Sequence, residues 1–495
     1  MVAGELRMGT AAGRWVLVTT VLGSGLAMID GTVVNVALER IGTDLDAGFA
    51  GLQWTVNAYT LALASLILLG GSLGDHFGRR RVFLVGVAWF ALASLACGLA
   101  PDIGTLIAAR ALQGVGGALL TPGSLALISA SFHGPDRAAA VGAWSGLGGI
   151  AGAVGPFLGG WLVEWSWRAV FLINIPLAAL IIVIALRHVP ESSDTESAPG
   201  LDLTGTVLAV IGLAGLTYGL TGLGAGGADP VSLVAVAVGV LALAAFVLVE
   251  RRSPHPLVPP ALFRNPTFTA ANLATVLIYG AMGAVFLLLV LQLQVVAGFT
   301  PLAAGTALLP VTVLMLLFSA RVGALTGRIG PRLPMTVGPL VSAGGLLLLL
   351  RVDATTSWFT DVLPAMLVFG AGLTLTVAPL TATVLDAAPD RYAGAASGVN
   401  NAVARAAGLL AVAVVPGLAG IAGEDYSDPV AFDSGFRVAM VIGAGLLVAA
   451  AITAFALVRR PRPAAEAPDR ECIRVEECFQ CPVSGPPLHP SGTRR

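Results

Sequence analysis

Two charged residues lie where the neighbouring sequence is apolar, and the acid of the two could bind a proton. Asp30, in the string MIDGTVVNVAL, lies about midway along an apolar span, and Arg110 lies early in another, in the pattern Leu106-x3-Arg110-x2-Gln113-Gly114. A charged side chain at the centre of a bilayer costs about 2.5–3.5 kcal/mol or more. Asp30 should therefore bind a proton or a cation, and Arg110 needs a partner or a water-filled cavity. Alternatively, Asp30 makes only a hydrogen bond between helices.

A second charged group lies in the loop GSLGDHFGRRR at 71–81. Asp75 ends one helix, and Arg79 and Arg80 begin the next. Gly71 and Gly78 permit the chain to reverse direction tightly in this loop. A carboxylate and a guanidinium so close can form a charge-assisted latch, and breaking it would change conformational populations. The alternative is that these arginines only set the orientation of the chain.

A third pattern is a helix rich in small residues. Its positions are Gly148, Gly152, Gly155, Pro156, Gly159 and Gly160. Glycines at this spacing remove side chains from one face, and Pro156 interrupts the backbone hydrogen bonds. We expect close, kinked packing between two parts of the molecule, although small residues at this spacing also occur where they serve packing alone.

Further polar or aromatic residues lie at membrane depth and are candidates for lining a cavity. They are Asn35, Asn57, Tyr59, Gln113, Trp144, Gln292, Asn400, Asn401 and Arg405. The aromatic members could stack on flat substrates, or they could anchor helix ends at the membrane interface.

The elements that position these residues are membrane helices. The chain has 495 residues, of which 56% are hydrophobic and 11% charged, a composition that no soluble domain of this size would have. A bilayer core needs about 20 apolar residues per helix, and the sequence contains fourteen such runs. The sequence predicts an all-α integral membrane protein with 14 transmembrane helices.

Internal repeats divide these helices into two six-helix bundles. The loop 71–81 recurs in weaker form as GALTGRIGPRL at 323–333, with Gly327 in the place of Asp75, and Pro135-Asp136-Arg137 recurs at 389–391. Both offsets are about 250 residues, which leaves room for two inserted helices. Repeats in the same orientation predict two bundles around a central cavity.

The predicted organisation follows from these runs. It comprises an N-terminus (1–14), a first bundle (15–187), a linker (188–202), two additional helices (203–249), a loop (250–267), a second bundle (268–458) and a flexible tail (459–495). Most arginines fall on one side of this map, which predicts that this side and both termini are cytoplasmic and that the protein resides in the inner membrane.

Several kinds of site are excluded or not expected. The sequence has no Lys, so it has no phosphate-binding Gly-x4-Gly-Lys-Ser/Thr loop, and it has no diffuse basic surface for nucleic acid. No Ser/His/Asp or paired-acid arrangement predicts an enzyme. The tail cysteines Cys472, Cys478 and Cys481 are one ligand short of a zinc site unless His489 joins them, so we expect no metal and no cofactor.

GSLGDHFGRRR resembles the signature loop of the major facilitator superfamily. The strings around Asp30, the Gly155-Pro156 region and WRAVFLINIP at 167–176 resemble its fourteen-helix drug:proton antiporter family, with Glu39 as a departure where that family usually has proline. The resemblance implies the major facilitator fold. It also implies that Asp30 is the proton-responsive acid, Arg110 its electrostatic modulator, and the Gly155-Pro156 region a flexure that favours export.

The expected function is export of lipophilic, often cationic, small molecules in exchange for protons. The partners are then the substrate, protons and membrane lipid, and the carrier works as a monomer by alternating access. The alternatives are an importer of a metabolite, a dedicated exporter of one compound and a membrane receptor that does not transport.

Overall fold

A computed structural model describes residues 7–132, 134–193, 202–224, 229–254, 256–389, 392–421 and 428–458. The tail with its three cysteines lies outside these ranges, as do Asp390 and Arg391 of the second tripeptide. Within the described ranges the chain is helical and contains no strand. The predicted all-α class is confirmed.

Fourteen long helices follow one another along the chain. They are α1 (Ala11–Asp44), α2 (Phe49–Phe77), α3 (Arg79–Gly98), α4 (Ile103–Ser131), α5 (Gly134–Trp165), α6 (Ala169–His188), α7 (Leu203–Gly224), α8 (Pro230–Arg252), α9 (Pro266–Val296), α10 (Pro301–Ile329), α11 (Arg332–Arg351), α12 (Trp358–Asp386), α13 (Ala393–Leu418) and α14 (Pro429–Leu457).

Thirteen of these helices, judged on the described residues, are long and apolar enough to cross a membrane. The other, α5, has 32 residues, which is more than a bilayer core requires. The order of helices is thus consistent with fourteen predicted spans. One difference is that α1 begins at Ala11, because the Thr10 side chain accepts a hydrogen bond from Gly13 N and caps the helix there.

Several helices begin in the way their sequence dictates. Pro230, Pro266, Pro301 and Pro429 each occupy a first helical position, where a missing N–H costs nothing. The residue before each of them is Asp, Asn or Thr, and its side-chain oxygen accepts a backbone N–H of the first turn. Sharp starts of this kind place the loops between successive helices.

The two bundles have the same internal arrangement. In the first, α4 packs against α1, α2 and α3, while α1 also packs against α5 and α6. In the second, α12 packs against α9, α10 and α11, while α9 also packs against α13 and α14. The repeated loops correspond as well, because Gly78 and Gly330 both adopt positive φ values, 103° and 80°. Each helix of α1–α6 therefore has its counterpart in α9–α14.

The two inserted helices, α7 and α8, form a hairpin packed along its length. A Cβ atom on Gly215 would lie 2.7 Å from the Ala235 carbonyl oxygen, so the two backbones approach closely. Helix α7 packs against α2 of the first bundle and α13 of the second, and a Cβ on Gly224 would lie 3.1 Å from the Gly417 Cα. The hairpin thus contacts both bundles at one of the places where they meet.

We call the face at which α2 turns into α3 the arginine-rich face, and the other the opposite face. Near the opposite face the bundles contact one another directly: Gln53 Nε2 donates to Val412 O at 2.8 Å, and Gln294 Nε2 donates to Val36 O at 3.1 Å. These hydrogen bonds join α2 to α13 and α1 to α9. They tie the two bundles together at that end.

Candidate functional site

Asp30 and Arg110 form an ion pair in the interior of the first bundle. Arg110 Nη1 lies 2.6 Å from Asp30 Oδ2, and the two side chains are 0% and 1% exposed. Asp30 lies on α1 and Arg110 on α4, which pack together. Arg110 was expected to need a partner at membrane depth, and that partner is Asp30. The cation that Asp30 binds is, in turn, Arg110.

Neutral side chains complete the surroundings of the Asp30 carboxylate. Gln113 Nε2 and Asn174 Nδ2 donate to Asp30 Oδ1 at 2.8 and 2.9 Å. Both amides also donate to Ser94 Oγ, at 2.7 and 3.2 Å. The carboxylate thus accepts three hydrogen bonds from the side chains of α4 and α6, and α3 supplies the hydroxyl that holds the two amides.

Arg110 has a full set of partners besides Asp30. Its Nε donates to Thr55 O at 3.0 Å, and its Nη1 also donates to Gln113 Oε1. The guanidinium carbon lies 4.3 Å from the centre of the Tyr59 ring and 5.8 Å from that of Phe171. Aromatic faces attract a cation most strongly where water is excluded, so this site stabilises the guanidinium at membrane depth.

The local sequence explains why Asn174 reaches the site. Helix α6 is interrupted at Ile173, between segments Ala169–Leu172 and Asn174–His188, three residues before Pro176. Asn174 begins the longer segment and is fully buried. Sequence analysis did not select Asn174 or Ser94, although an amide in the apolar stretch WRAVFLINIP was a signal for the former.

A buried ion pair of this kind can respond to a proton. A carboxylate that takes up a proton loses its attraction for Arg110, which leaves a cation without its counter-charge. Removing one partner of a buried pair typically costs about 3–5 kcal/mol. A proton on Asp30 therefore changes the relative energies of arrangements of α1 and α4.

The loop between α2 and α3 contains the predicted charge pair. Arg79 Nε donates to Asp75 Oδ1 at 2.8 Å. Glu191, beyond the end of α6, accepts from Arg80 N at 3.0 Å, and its Oε2 lies 3.7 Å from Nε of both Arg80 and Arg81. Sequence analysis missed Glu191, which lies more than a hundred residues further along the chain.

Gly78 is required in this loop for two reasons. Its φ of 103° is rarely adopted by other residues, and a Cβ there would lie 2.9 Å from Glu191 Oε1. Gly71 is less constrained, because a Cβ there would lie 3.6 Å from the Pro122 Cβ. The reversal thus depends on Gly78.

The glycine helix, α5, lies between the bundles. A Cβ on Gly159 would lie 3.0 Å from Val33 Cγ1 of α1, and Gly155 faces the Thr32 hydroxyl even more closely. On the other side, a Cβ on Gly160 would lie 2.5 Å from the Leu302 Cα. A Cβ on Gly305 would lie even closer to the Pro156 carbonyl oxygen. Close packing between bundles occurs at these residues; the surroundings of Gly148 and Gly152 lie outside the described part of α5.

Several candidates for cavity lining are buried in packing. Gln113 and Asn57 have no exposed surface, and neither does Gln292, which donates to Asp433 Oδ1 at 2.7 Å within the second bundle. Such residues do not line open space in this conformation. Their positions correct the expectation drawn from polarity alone.

The remaining candidates divide between packing and partial exposure. Trp144 Nε1 donates to Ser24 Oγ at 3.0 Å, and Asn400 Nδ2 donates to Thr275 Oγ1 at 2.8 Å. Tyr59 is buried against Arg110, whereas Asn35 and Arg405 are partly exposed and Asn401 is exposed. The last three remain candidates for contact with a substrate.

Comparison with known proteins agrees with this architecture. Residues 20–412 match the family model described as Major Facilitator Superfamily. The multidrug resistance protein Stp of Mycobacterium tuberculosis (strain CDC 1551 / Oshkosh) is 37% identical over 78% of this chain and 72% of its own length. The puromycin resistance protein pur8 of Streptomyces alboniger is 36% identical over 91% of this chain and 92% of its own length.

Solved structures give the same fold at low sequence identity. A bacterial homologue of the human lysosomal transporter Spinster, in an inward-facing and unoccupied conformation, superposes with a TM-score of 0.65. It is 18% identical, and the match covers 92% of this chain and all of the other. The predicted major facilitator fold is confirmed.

Proposed function

The chain belongs to the Major Facilitator Superfamily, and on this premise we propose that it exports lipophilic small molecules of the antibiotic class in exchange for protons. The observation that carries the proton coupling is the buried ion pair of Asp30 and Arg110. The export direction is supported by relatives named for resistance to multiple drugs and to puromycin, and for tetracenomycin C resistance and export.

In the proposed cycle, Asp30 alternates between two partners. When it is ionised it binds Arg110, and when a proton arrives from outside the cell it releases the guanidinium. The freed cation then favours a different packing of α1, α4 and α5, and one bundle rocks against the other. Release of the proton to the cytoplasm restores the ion pair.

The contacts of α5 near the opposite face connect the helix of Asp30 with the interface between the bundles. Thr32 and Val33 lie within one turn of Asp30 on α1 and contact Gly155 and Gly159 of α5. The next residue of α5, Gly160, contacts Leu302 of the second bundle. A shift of α1 that follows protonation would therefore act on the contact between bundles through α5.

The available energy is sufficient for a carrier with one acid. One proton crossing 100 mV releases about 2.3 kcal/mol. Since each tenfold gradient requires about 1.4 kcal/mol, one proton per cycle supports a substrate gradient of roughly fiftyfold. No cofactor or ATP is needed, and the protein acts as a carrier and not as an enzyme.

The proposal also covers the setting of the protein. It resides in the cytoplasmic membrane with the arginine-rich face and both termini in the cytoplasm, and it functions as a monomer in contact with lipid. The arginines of the α2–α3 loop, Arg79, Arg80 and Arg81, lie on that face, as the distribution of positive charge in membrane proteins requires.

Proton movement in reconstituted vesicles tests the coupling. Wild type exposed to a panel of lipophilic antibiotics should move protons only when a substrate is present, and Asp30→Asn should abolish that movement. Glu39→Gln is the matched control, because Glu39 lies on the same helix and its carboxylate contacts only Thr43 among the described hydrogen bonds. Full proton-coupled activity in Asp30→Asn would refute the role of this acid.

A further inference from the structure

Arg405, on α13, is a cation without a counter-charge. Its Nε atom is buried and has no hydrogen-bond partner. In the part of the chain that the structure describes, no carboxylate forms an ion pair with it and no hydrogen bond reaches it. A permanent charge at membrane depth is costly in this condition, so it requires either water or an anion.

The contrast with Arg110 shows what a satisfied arginine in this protein requires. Arg110 has a carboxylate, a backbone carbonyl, an amide oxygen and two aromatic rings. Among the described residues Arg405 has none of these hydrogen-bonding partners. The missing partner must therefore come from outside the described residues.

Arg405 lies on a side of α13 that is turned toward the other bundle. Asn400 and Gly408 contact α9, while Gly398 and Val412 contact α2. Arg405 lies seven residues after Gly398 and seven before Val412, so on a helix of 3.6 residues per turn it shares the side of α13 that faces α2.

Part of this side of α13 is open. Asn401, one turn before Arg405, is exposed and Arg405 itself is partly exposed, whereas a Cβ on Gly398, two turns before, would lie 3.0 Å from Leu68 Cδ2. Arg405 is also close enough to interact electrostatically with Tyr59 of α2 and Tyr279 of α9. The guanidinium is thus placed between helices of both bundles.

The acids Asp30 and Asp433 do not compensate the charge of Arg405. Asp30 is buried in the first bundle and is already neutralised by Arg110. Among the described residues, Asp433 of the second bundle is likewise paired with Arg437 and bound by Gln292. No carboxylate among the described residues compensates Arg405, so its charge attracts anions and repels cations.

We propose that Arg405 selects the substrate, and that the carrier prefers lipophilic compounds with an acidic group, such as a carboxylate, over the lipophilic cations expected from the sequence. A guanidinium can bind a carboxylate through two parallel hydrogen bonds. Asn401 supplies a further amide one turn away. This inference rests on the proposed export function and specifies its substrate class.

Binding to the purified full-length protein in lipid nanodiscs tests the inference without requiring transport. The probes are 4-(1-pyrenyl)butyrate, 4-(1-pyrenyl)butanol and 4-(1-pyrenyl)butylamine, which share one aromatic group and differ in charge. Wild type should bind the butyrate tenfold to a hundredfold more tightly than the alcohol, a difference of about 1.4–2.8 kcal/mol, and the amine most weakly. Nanodiscs without protein correct for partition into lipid.

Variants then assign the preference to one residue. Arg405→Gln should bind butyrate and alcohol alike, and Arg405→Lys should retain part of the preference. Arg321→Gln is the matched control, because Arg321 is a membrane-helix arginine that already donates to Leu317 O at 3.0 Å and lies over Phe318. It should keep the wild-type preference.

Three results would overturn the inference: tighter binding of the amine by wild type, equal binding of all three probes by wild type, or an unchanged preference in Arg405→Gln. The first two need no variant, so a folding defect does not affect them. If substrates drive proton movement but binding ignores charge, export stands and this inference fails. If charge-selective binding occurs without proton movement for any compound, the inference stands and proton-coupled export fails.

Discussion

Replacing Arg110 with methionine should destabilise the protein strongly. The substitution keeps an unbranched side chain of similar length but leaves the Asp30 carboxyl group without its counter-charge in a site with no exposed surface. Removing one partner of a buried ion pair costs about 3–5 kcal/mol. The lost hydrogen bond to Thr55 O and the lost contacts with two aromatic rings favour the upper part of that range.

The double variant separates the ion pair from these other contacts. Asp30→Asn removes the stranded charge, and the asparagine oxygen can still accept from Gln113 and Asn174. Arg110→Met/Asp30→Asn should therefore be more stable than Arg110→Met alone.

The assay is reversible unfolding in mixed micelles, which yields a free energy of unfolding for the wild type, both single variants and the double variant. The coupling energy from this cycle should be at least about 1 kcal/mol in favour of the pair. Additive effects, or a loss of less than about 1 kcal/mol in Arg110→Met, would refute the reasoning that the ion pair stabilises the first bundle.

Three further substitutions test other contacts. Gly160→Val should slow export at least tenfold, because the valine side chain would collide with Leu302 and prevent closure at the opposite face. Gly323→Val should leave the efflux rate unchanged, because no atom lies within 4 Å of the position of its Cβ. Asn174→Leu should lower the free energy of unfolding by about 1–3 kcal/mol, since Asp30 loses a hydrogen-bond donor in a buried site; unchanged stability in the unfolding assay would argue against that bond. Glu191→Gln should accelerate amide hydrogen exchange in the α2–α3 loop, measured by mass spectrometry, and equal exchange in both proteins would contradict its role in holding the loop.

Some features of the fold could be predicted from short stretches of sequence. The repeat of 71–81 at 323–333 predicted two related halves, and the structure places Gly78 and Gly330 at corresponding turns with positive φ. The tight reversal at Gly78 could be predicted because backbone conformation at a tight turn depends on the residues in that turn. The need of Arg110 for a partner followed equally from local polarity.

The composition of the site could not be predicted in the same way. Asn174, Ser94 and Glu191 contact functional residues that are between 19 and 144 positions away along the chain, as the separations from Ser94 to Gln113 and from Asp30 to Asn174 show. Small neutral residues such as Ser94 have no signal in an apolar helix. Only the packing of α1, α3, α4 and α6 brings them together.

The orientation of polar side chains was the least predictable feature. In a soluble helix the polar face indicates the solvent side, but a membrane helix is apolar where it meets lipid and where it meets another helix. Polarity therefore marked Gln292 and Arg405 as equivalent candidates. The structure separates them, because Gln292 donates to Asp433 within the second bundle, whereas Arg405 has no hydrogen-bond partner among the described residues.

The sequence by itself determined the class of protein, the number and order of its apolar runs, the duplication, and the presence of an acid and an arginine that the membrane would not tolerate alone. These properties depend on composition and on neighbouring residues. The tertiary structure alone decided that Asp30 and Arg110 neutralise each other and that Arg405 does not share in that pairing. Electrostatic energy depends on the distance between charges in space and on the exclusion of water from between them, and neither is set by separation along the chain.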